Sequence, residues 1–457
     1  MTKTTESPHP STVPGYGAIF ALTWPMTLKA IFLHGVVVID GWLVSSLSEA
    51  AVGAMGLAVA IGGIILGTIF AFAHAMQIRA AQAFGTGDPV FLKSVLASGL
   101  TISLGIGCTG GLLLLGIGQS LIGVLAPSPD VVTHAWNYLS VFVLVVLFES
   151  VGQCLSSYFN GIGKTRIPLY GYALSVPINI LVSIALIHGY WGLPAFGISG
   201  AAMGSAFATL VQVLFFALRL YQSDRHLLQV RGWRQGGFLP TLRRHLAFAL
   251  PIAATFISAT LAAHVCTMIY AGMALTDFAA LALIAPWNLL VGQLSMQWTQ
   301  ATGIFVAQLL GRGATETALD RFLSTAWRGA FASAVLVSLV FVALCLSVDF
   351  LYRDLTTQTR ATLFSFLPVL VLAAFPRATN AICGNTLRAS GDTVYVMHIF
   401  VWTQWLFRVP ATALAVFWFE ASATLVLSLM LVEEIIKFFP FHRRLWTGSW
   451  KHARFDP

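Results

Sequence analysis

Charge is what this chain has least of. Only 9% of its 457 residues are Asp, Glu, Lys or Arg, against 57% hydrophobic, and a water-soluble domain could not keep its surface hydrated on that supply. Cysteine is sparse as well. Cys108, Cys154, Cys266, Cys345 and Cys383 stand singly in apolar segments, which gives neither a disulfide framework nor metal-ligand spacing, so they read as small core residues. The phosphate-binding pattern G-x-x-x-x-G-K-[ST] is absent, since Gly163-Lys164-Thr165 has Tyr158 where the first glycine would stand, so ATP is not the direct energy source, and there is no His-Glu-x-x-His. Clustered acids for magnesium diphosphate and facing aspartate pairs are missing too, against prenyl-transfer or protease chemistry within a membrane. No ring of repeated charge is available for a selective pore. The stretch before Gly17 is polar with Lys3 its one base, which lacks the pattern of a cleavable signal and leaves the first helix in place. The expectation is a non-enzyme without cofactor or metal.

Long apolar runs are what the chain does have. Twelve can be read, at roughly 17–46, 51–79, 94–125, 134–159, 167–188, 196–219, 246–270, 278–305, 325–349, 361–385, 394–419 and 421–440, each long enough for a transmembrane helix. The fold class is therefore an all-α membrane protein. Of the 25 Lys and Arg, Arg353 and Arg360 fall on one side, Lys29, Arg377 and Arg408 are embedded, and the rest, six of them in the 219–244 loop, lie on the side of the termini. The positive-inside rule makes both termini cytoplasmic, in a cell (inner) membrane. The net charge of +8 then reflects topology and anionic lipid rather than nucleic acid.

The two halves repeat. Pro25 recurs as Pro251, and Ala81-Gln82-x-x-Gly85-x-Gly87 as Ala307-Gln308-x-x-Gly311-x-Gly313, both at an offset of 226; Gly163-Lys164-Thr165 recurs as Gly391-Asp392-Thr393 at 228. The chain divides into a tail (1–16), a first lobe (17–219), a basic linker (220–245), a second lobe (246–440) and a tail (441–457). Six helices per lobe relate the lobes by an axis along the membrane normal, with the substrate path between them.

Two carboxylates, Asp40 and Glu149, are read as lying deep in the apolar segments, the other acids falling in loops or near helix ends. An ionisable group in hydrocarbon costs roughly 2.5–3.5 kcal/mol, which makes it a functional candidate. A carboxyl withdrawn from water can load a proton from one side and unload it to the other. The 228 offset carries Glu149 onto Arg377. Glu149, Gln153, Ser156 and Asn160 share one helical face; Arg377, Asn380, Gly384 and Arg388 share another. Both stripes are expected to face a central cavity, with Glu149 and Arg377 pairing on closure, or binding opposite charges of substrate, or each finding a partner within its own lobe. Gln293, Gln297 and Gln300 form a further polar stripe, with Gln300 matched to His74; all four are assigned to the cavity, although packing against other helices is the commoner role for such a histidine. His34 does not share the face of Asp40. Lys29 shares it at a different depth, and is expected to reach to the surface. Arg408-Val409-Pro410 is read as structural.

The anchors also resemble the multidrug and toxic compound extrusion (MATE) family over nearly the whole chain. They are Asp40, Ala81-Gln82-x-x-Gly85, Asn160-Gly161-Ile162-Gly163-Lys164-Thr165-Arg166, Gly197-Ile198-Ser199-Gly200-Ala201-Ala202 and Leu387-Arg388-Ala389-Ser390-Gly391-Asp392-Thr393. The resemblance implies that Asp40 couples ion entry to substrate release, with Asn179, Ser183 and Ser205 as its polar neighbours, closest to prokaryotic members with a first-lobe aspartate. Ser183 stands where a second acid is usual, which makes a proton more fitting than sodium. The implied function is efflux of organic, cationic or amphipathic small molecules by proton antiport and alternating access. A monomer is expected, with the lipid bilayer and a small-molecule substrate as partners and no nucleic acid. The alternative is an exporter of a dedicated metabolite or a flippase for a lipid-linked substrate, which would want a strongly basic cavity.

Overall fold

The computed structural model describes residues 13–228, 237–352, 355–453 and 455. Of the bases used for orientation, Arg231, Arg234, Arg353 and Arg454 lie outside the described residues, as does Lys3. Among the described residues, eleven helices are long and apolar enough to cross a membrane: α1 (Tyr16–Ser45), α2 (Glu49–Thr86), α3 (Pro89–Leu125), α4 (Pro129–Gly161), α5 (Arg166–His188), α6 (Ile198–Asp224), α7 (Phe238–Tyr270), α8 (Leu275–Gly311), α9 (Glu316–Leu346), α10 (Thr357–Ala389) and α11 (Thr393–Phe417). A twelfth, α12 (Ala423–Trp446), has the length but carries Glu433, Glu434 and Lys437. The chain is a multi-pass membrane protein of two six-helix lobes, α1–α6 and α7–α12.

Helix starts follow from local chemistry. Ser48, Asp88, Ser128 and Thr315 each accept a backbone N–H of the first turn, and Pro89 and Pro129 open their helices where the missing N–H is harmless. α10 is interrupted at Phe366, just before Pro368. α11 widens to a π-helical stretch over Thr403–Arg408, ahead of Pro410. The linker is shorter than 220–245, because α6 runs to Asp224 and α7 begins at Phe238. α12 continues past Pro440 to Trp446.

The repeat is legible in atoms. α4 ends in a turn in which Lys164 N–H bonds Phe159 O at 2.8 Å around Gly163 (φ 82°), and α10 in one in which Asp392 N–H bonds Leu387 O at 2.9 Å around Gly391 (φ 99°). A left-handed residue is needed at both places, which is why glycine repeats there. α2 and α8 cross at their ends on the terminal face, the face at which α1 starts and α12 ends. A Cβ on Gly85 would sit 2.5 Å from Gln308 O and one on Gly311 2.6 Å from Gln82 O, so the crossing admits only glycine.

The same motif ties the lobes together. Gln82 Nε2 donates to Ala389 O at 2.8 Å and Gln308 Nε2 to Gly161 O at 2.8 Å. Each glutamine thus reaches a last-turn carbonyl of the other lobe's helix, a group with no partner inside its own helix. Ser98 Oγ and His245 Nδ1, from α3 and α7, lie 2.7 Å apart nearby. The terminal half of α1 (Ile19, Leu22, Met26) packs into the second lobe's core, whereas Leu43 and Val44 at its other end pack into the first. Pro25 lies within the terminal half.

Candidate functional site

Two cavities among the described residues hold the candidate side chains, one within the first lobe and one lined mainly by the second. The first, about 190 Å³, is lined by Asp40 and Glu149 together with His34, Tyr138, Tyr172 and Asn179 among others. The second, about 500 Å³, is lined by Arg377, Arg388, Arg408 and Glu434, by the Gln293 and Gln300 side chains, and by His74 from α2.

Asp40 is 5% exposed. Ser205 Oγ donates to its Oδ2 at 2.8 Å, and Asn179 Nδ2 donates to Ser205 Oγ at 2.9 Å, so α5 and α6 present a two-step polar relay to α1. Its other oxygen, Oδ1, is buried and accepts no hydrogen bond from a described residue. Ser183, fully buried, stands apart from this relay. Its Oγ lies 3.5 Å from Ala201 O, and it packs where Gly204 leaves no room for a Cβ. It joins α5 to α6 and does not line the cavity.

Glu149 accepts Gln153 Nε2 at 2.8 Å, and the same amide also meets Tyr172 Oη. Lys29 donates to Ser156 Oγ at 2.7 Å and to Gln153 Oε1 at 3.5 Å, over the Tyr172 ring. Lys29 therefore does not reach to the surface as its sequence position implied; α4 offers its ammonium fixed acceptors and a carboxylate close by. His34 also lines the cavity of Asp40, despite pointing away from it in helical projection. Gln153 supports Glu149 from behind the wall.

The two stripes expected to face one central cavity belong to two different cavities. Glu149 lines the first, while Arg377 lies in the second, with Nη1 on Asn288 Oδ1 at 3.1 Å and Nε 3.9 Å from Glu434 Oε1. Each has its own partners within its own lobe. Asn380 Nδ2 also donates to Glu434, at 2.9 Å to Oε2 and 2.7 Å to the backbone carbonyl.

The reading that only Asp40 and Glu149 lie deep is corrected here. Glu433 is 3% exposed, 2.7 Å from Lys437 and 3.5 Å from Arg408; Glu434 is 3.2 Å from Lys437. Mutual neutralisation lets the network stay buried. Lys437 and Arg388, counted among the bases at the terminal side, are 3% and 6% exposed inside the bundle. Arg408 likewise proves to line the cavity as well as support the helix. Sequence offered a signal for Glu433: the 228 offset carries Ser205, the hydroxyl on Asp40, onto it. In the glutamine stripe, Gln297 donates to Gln293 at 3.0 Å and is 7% exposed, behind the two that line the cavity. Four cysteines are buried as expected; Cys108 is exposed on α3.

Comparison with known proteins agrees with this architecture. The MatE family model matches residues 25–185. The chain is 23% identical over 403 residues to a probable multidrug resistance protein NorM of Rhizobium meliloti, spanning 84% of this chain and 85% of that one. It is 22% identical over 403 residues to the uncharacterized transporter YisQ of Bacillus subtilis, spanning 86% of each. Its fold is similar to that of a multidrug resistance MATE family transporter of the MOP superfamily in an outward-facing conformation, with TM-score 0.82 at 17% identity over 94% of this chain and 96% of that one. It is equally similar to the MATE transporter VcmN of Vibrio cholerae in its bent form, with TM-score 0.82 at 17% identity over 95% and 98%.

Proposed function

We propose that the chain is a member of the multidrug and toxic compound extrusion family, whose model it matches over residues 25–185, and that it exports organic small molecules in exchange for protons, with Asp40 as the coupling carboxyl. One observation carries the reading. A buried acid, held by Ser205 on one oxygen and without a partner on the other, lines a cavity inside the bundle. A proton on Oδ1 would remove the charge and supply the missing hydrogen bond together. Asn179 Oδ1 is also without a partner, which favours sodium as the second reading. Two such oxygens fall short of the larger oxygen shells that hard cations take.

The test is drug export from cells lacking their own pumps, with the proton and sodium gradients collapsed separately. Export that stops only with the proton gradient is expected. Export that stops only with the sodium gradient would replace the proton by sodium.

In this proposal the terminal face is cytoplasmic and closed, so the structure corresponds to the outward-facing member of an alternating cycle. The Gln82 and Gln308 hydrogen bonds would then be its latch. Each is worth about 1 kcal/mol net, so Gln82→Ala with Gln308→Ala shifts the equilibrium toward the cytoplasm-open form by roughly 30-fold. Spin labels placed on the terminal ends of α4 and α10 are expected to move apart in the double variant. An unchanged distance distribution would remove the latch from the mechanism.

A further inference from the structure

The second cavity carries more positive charge than its acids neutralise. In the network of Arg377, Arg408 and Lys437 with Glu433 and Glu434, three cations meet two carboxylates. Arg388 stands outside it. It is 6% exposed and lines the cavity, and its Nε is buried without a hydrogen-bond partner. Among the described residues it has no acid at ion-pair distance; its contacts are ring faces, with the guanidinium carbon 5.7 Å from the centroid of Phe256 and 5.4 Å from that of Phe400. Lys437 lies 4.8 Å from the same Phe400 centroid, so positive charge surrounds that ring. His74 adds a second unpartnered nitrogen, Nε2, on a residue of the same cavity wall.

A guanidinium withdrawn from water without a counter-ion is unfavourable unless something brings one. Its donors form a planar fork that fits a carboxylate with two parallel hydrogen bonds. The cavity, at about 500 Å³, falls within the range of about 300–1,000 Å³ that small organic ligands occupy. Phe256, Leu289, Met296 and Met430 supply an apolar wall next to that charge. We infer that the second-lobe cavity binds the anionic end of an aromatic organic acid, its carboxylate on Arg388 and its rings against the apolar wall. Substrates would then include acids and zwitterions as well as cations. The inference rests on the transporter reading in taking this cavity for a substrate site.

The experiment is equilibrium binding of 1-pyrenebutyrate and of its neutral amide to the purified full chain in phosphatidylcholine nanodiscs, with partition into empty discs subtracted. The acid is expected to bind at least about tenfold more tightly than the amide, the size of one charge-assisted hydrogen bond. Arg388→Gln is expected to lose that advantage while leaving amide binding unchanged, and Arg388→Lys to keep part of it. Equal affinity of acid and amide for the intact protein would overturn the inference without any variant having to fold. An advantage that survives in Arg388→Gln would overturn it as well. Displacement of the acid when the discs contain phosphatidylglycerol would give the site to a lipid headgroup and overturn the assignment to a solute. No gradient and no turnover enter the measurement, so it succeeds or fails separately from proton-coupled export.

Discussion

Asp40→Asn is expected to abolish drug export, lowering it at least about tenfold toward the level of cells without the protein, while the purified variant unfolds at nearly the wild-type temperature. The amide has the shape of the protonated acid and can still accept from Ser205, whose Oγ is 2.8 Å from Asp40 Oδ2. It cannot change charge. The variant is thus fixed in a mimic of the loaded state, and a carrier that cannot unload its driving ion cannot return. The two readouts separate this from a structural role. If the carboxylate merely held α1 to α6 by accepting from Ser205, the amide, which keeps that acceptor, would retain export along with thermal stability, and only a variant without the acceptor, such as Asp40→Ala, would lose about 1–3 kcal/mol. Export in Asp40→Asn equal to wild type would move the coupling role elsewhere in the same cavity, where Glu149 is the remaining acid.

The architecture was legible because its signals are coarse and redundant. Apolar runs give the helices, and the repeated Gln82/Gln308 and Gly163/Gly391 motifs give the lobes, each encoding a contact that recurs by symmetry. Within the first lobe, Asp40 stood out as a single acid in an apolar run. The second lobe was less legible because its charges are not isolated. Glu433, Glu434 and Lys437 fall within one helical turn or so near the end of a span, which reads as a wet helix end. Only the folded chain shows that Arg377 and Arg408, on α10 and α11, come in to neutralise them. Depth along a helix can be counted from sequence, whereas partners on other helices cannot. Lys29 failed for the same reason, since its acceptors Gln153 and Ser156 are more than a hundred residues away. Helical projection also misplaced His34, because a cavity wall curves around more than one face of α1.

The symmetry that exposes Glu433 also says what its loss should do. Ser205 and Glu433 occupy matching places on α6 and α12, but one lobe puts a hydroxyl there to serve an acid and the other puts the acid itself, serving Arg408 and Lys437. Glu433→Gln removes one of only two carboxylates from a network with three cations. Breaking a buried pair by removing one partner costs about 3–5 kcal/mol. Because Glu434 still holds Lys437 at 3.2 Å, the lower end, about 3 kcal/mol, is expected. This would be among the most damaging single changes in the molecule and much larger than that of Asp40→Asn. Thermal unfolding of the detergent-purified protein, followed by loss of the monodisperse elution peak, measures it. The double variant Glu433→Leu with Lys437→Leu should recover most of the loss, since replacing a buried ion pair with apolar side chains of similar size is often neutral or stabilising. If Glu433→Gln melts with the wild type, the network is not what holds α10, α11 and α12 together. The positions of Arg377 and Arg408 in the cavity would then need another support. If the single variant falls and the double recovers, the second lobe is held by charge balance, and Arg388 is the cation that balance leaves over for a ligand.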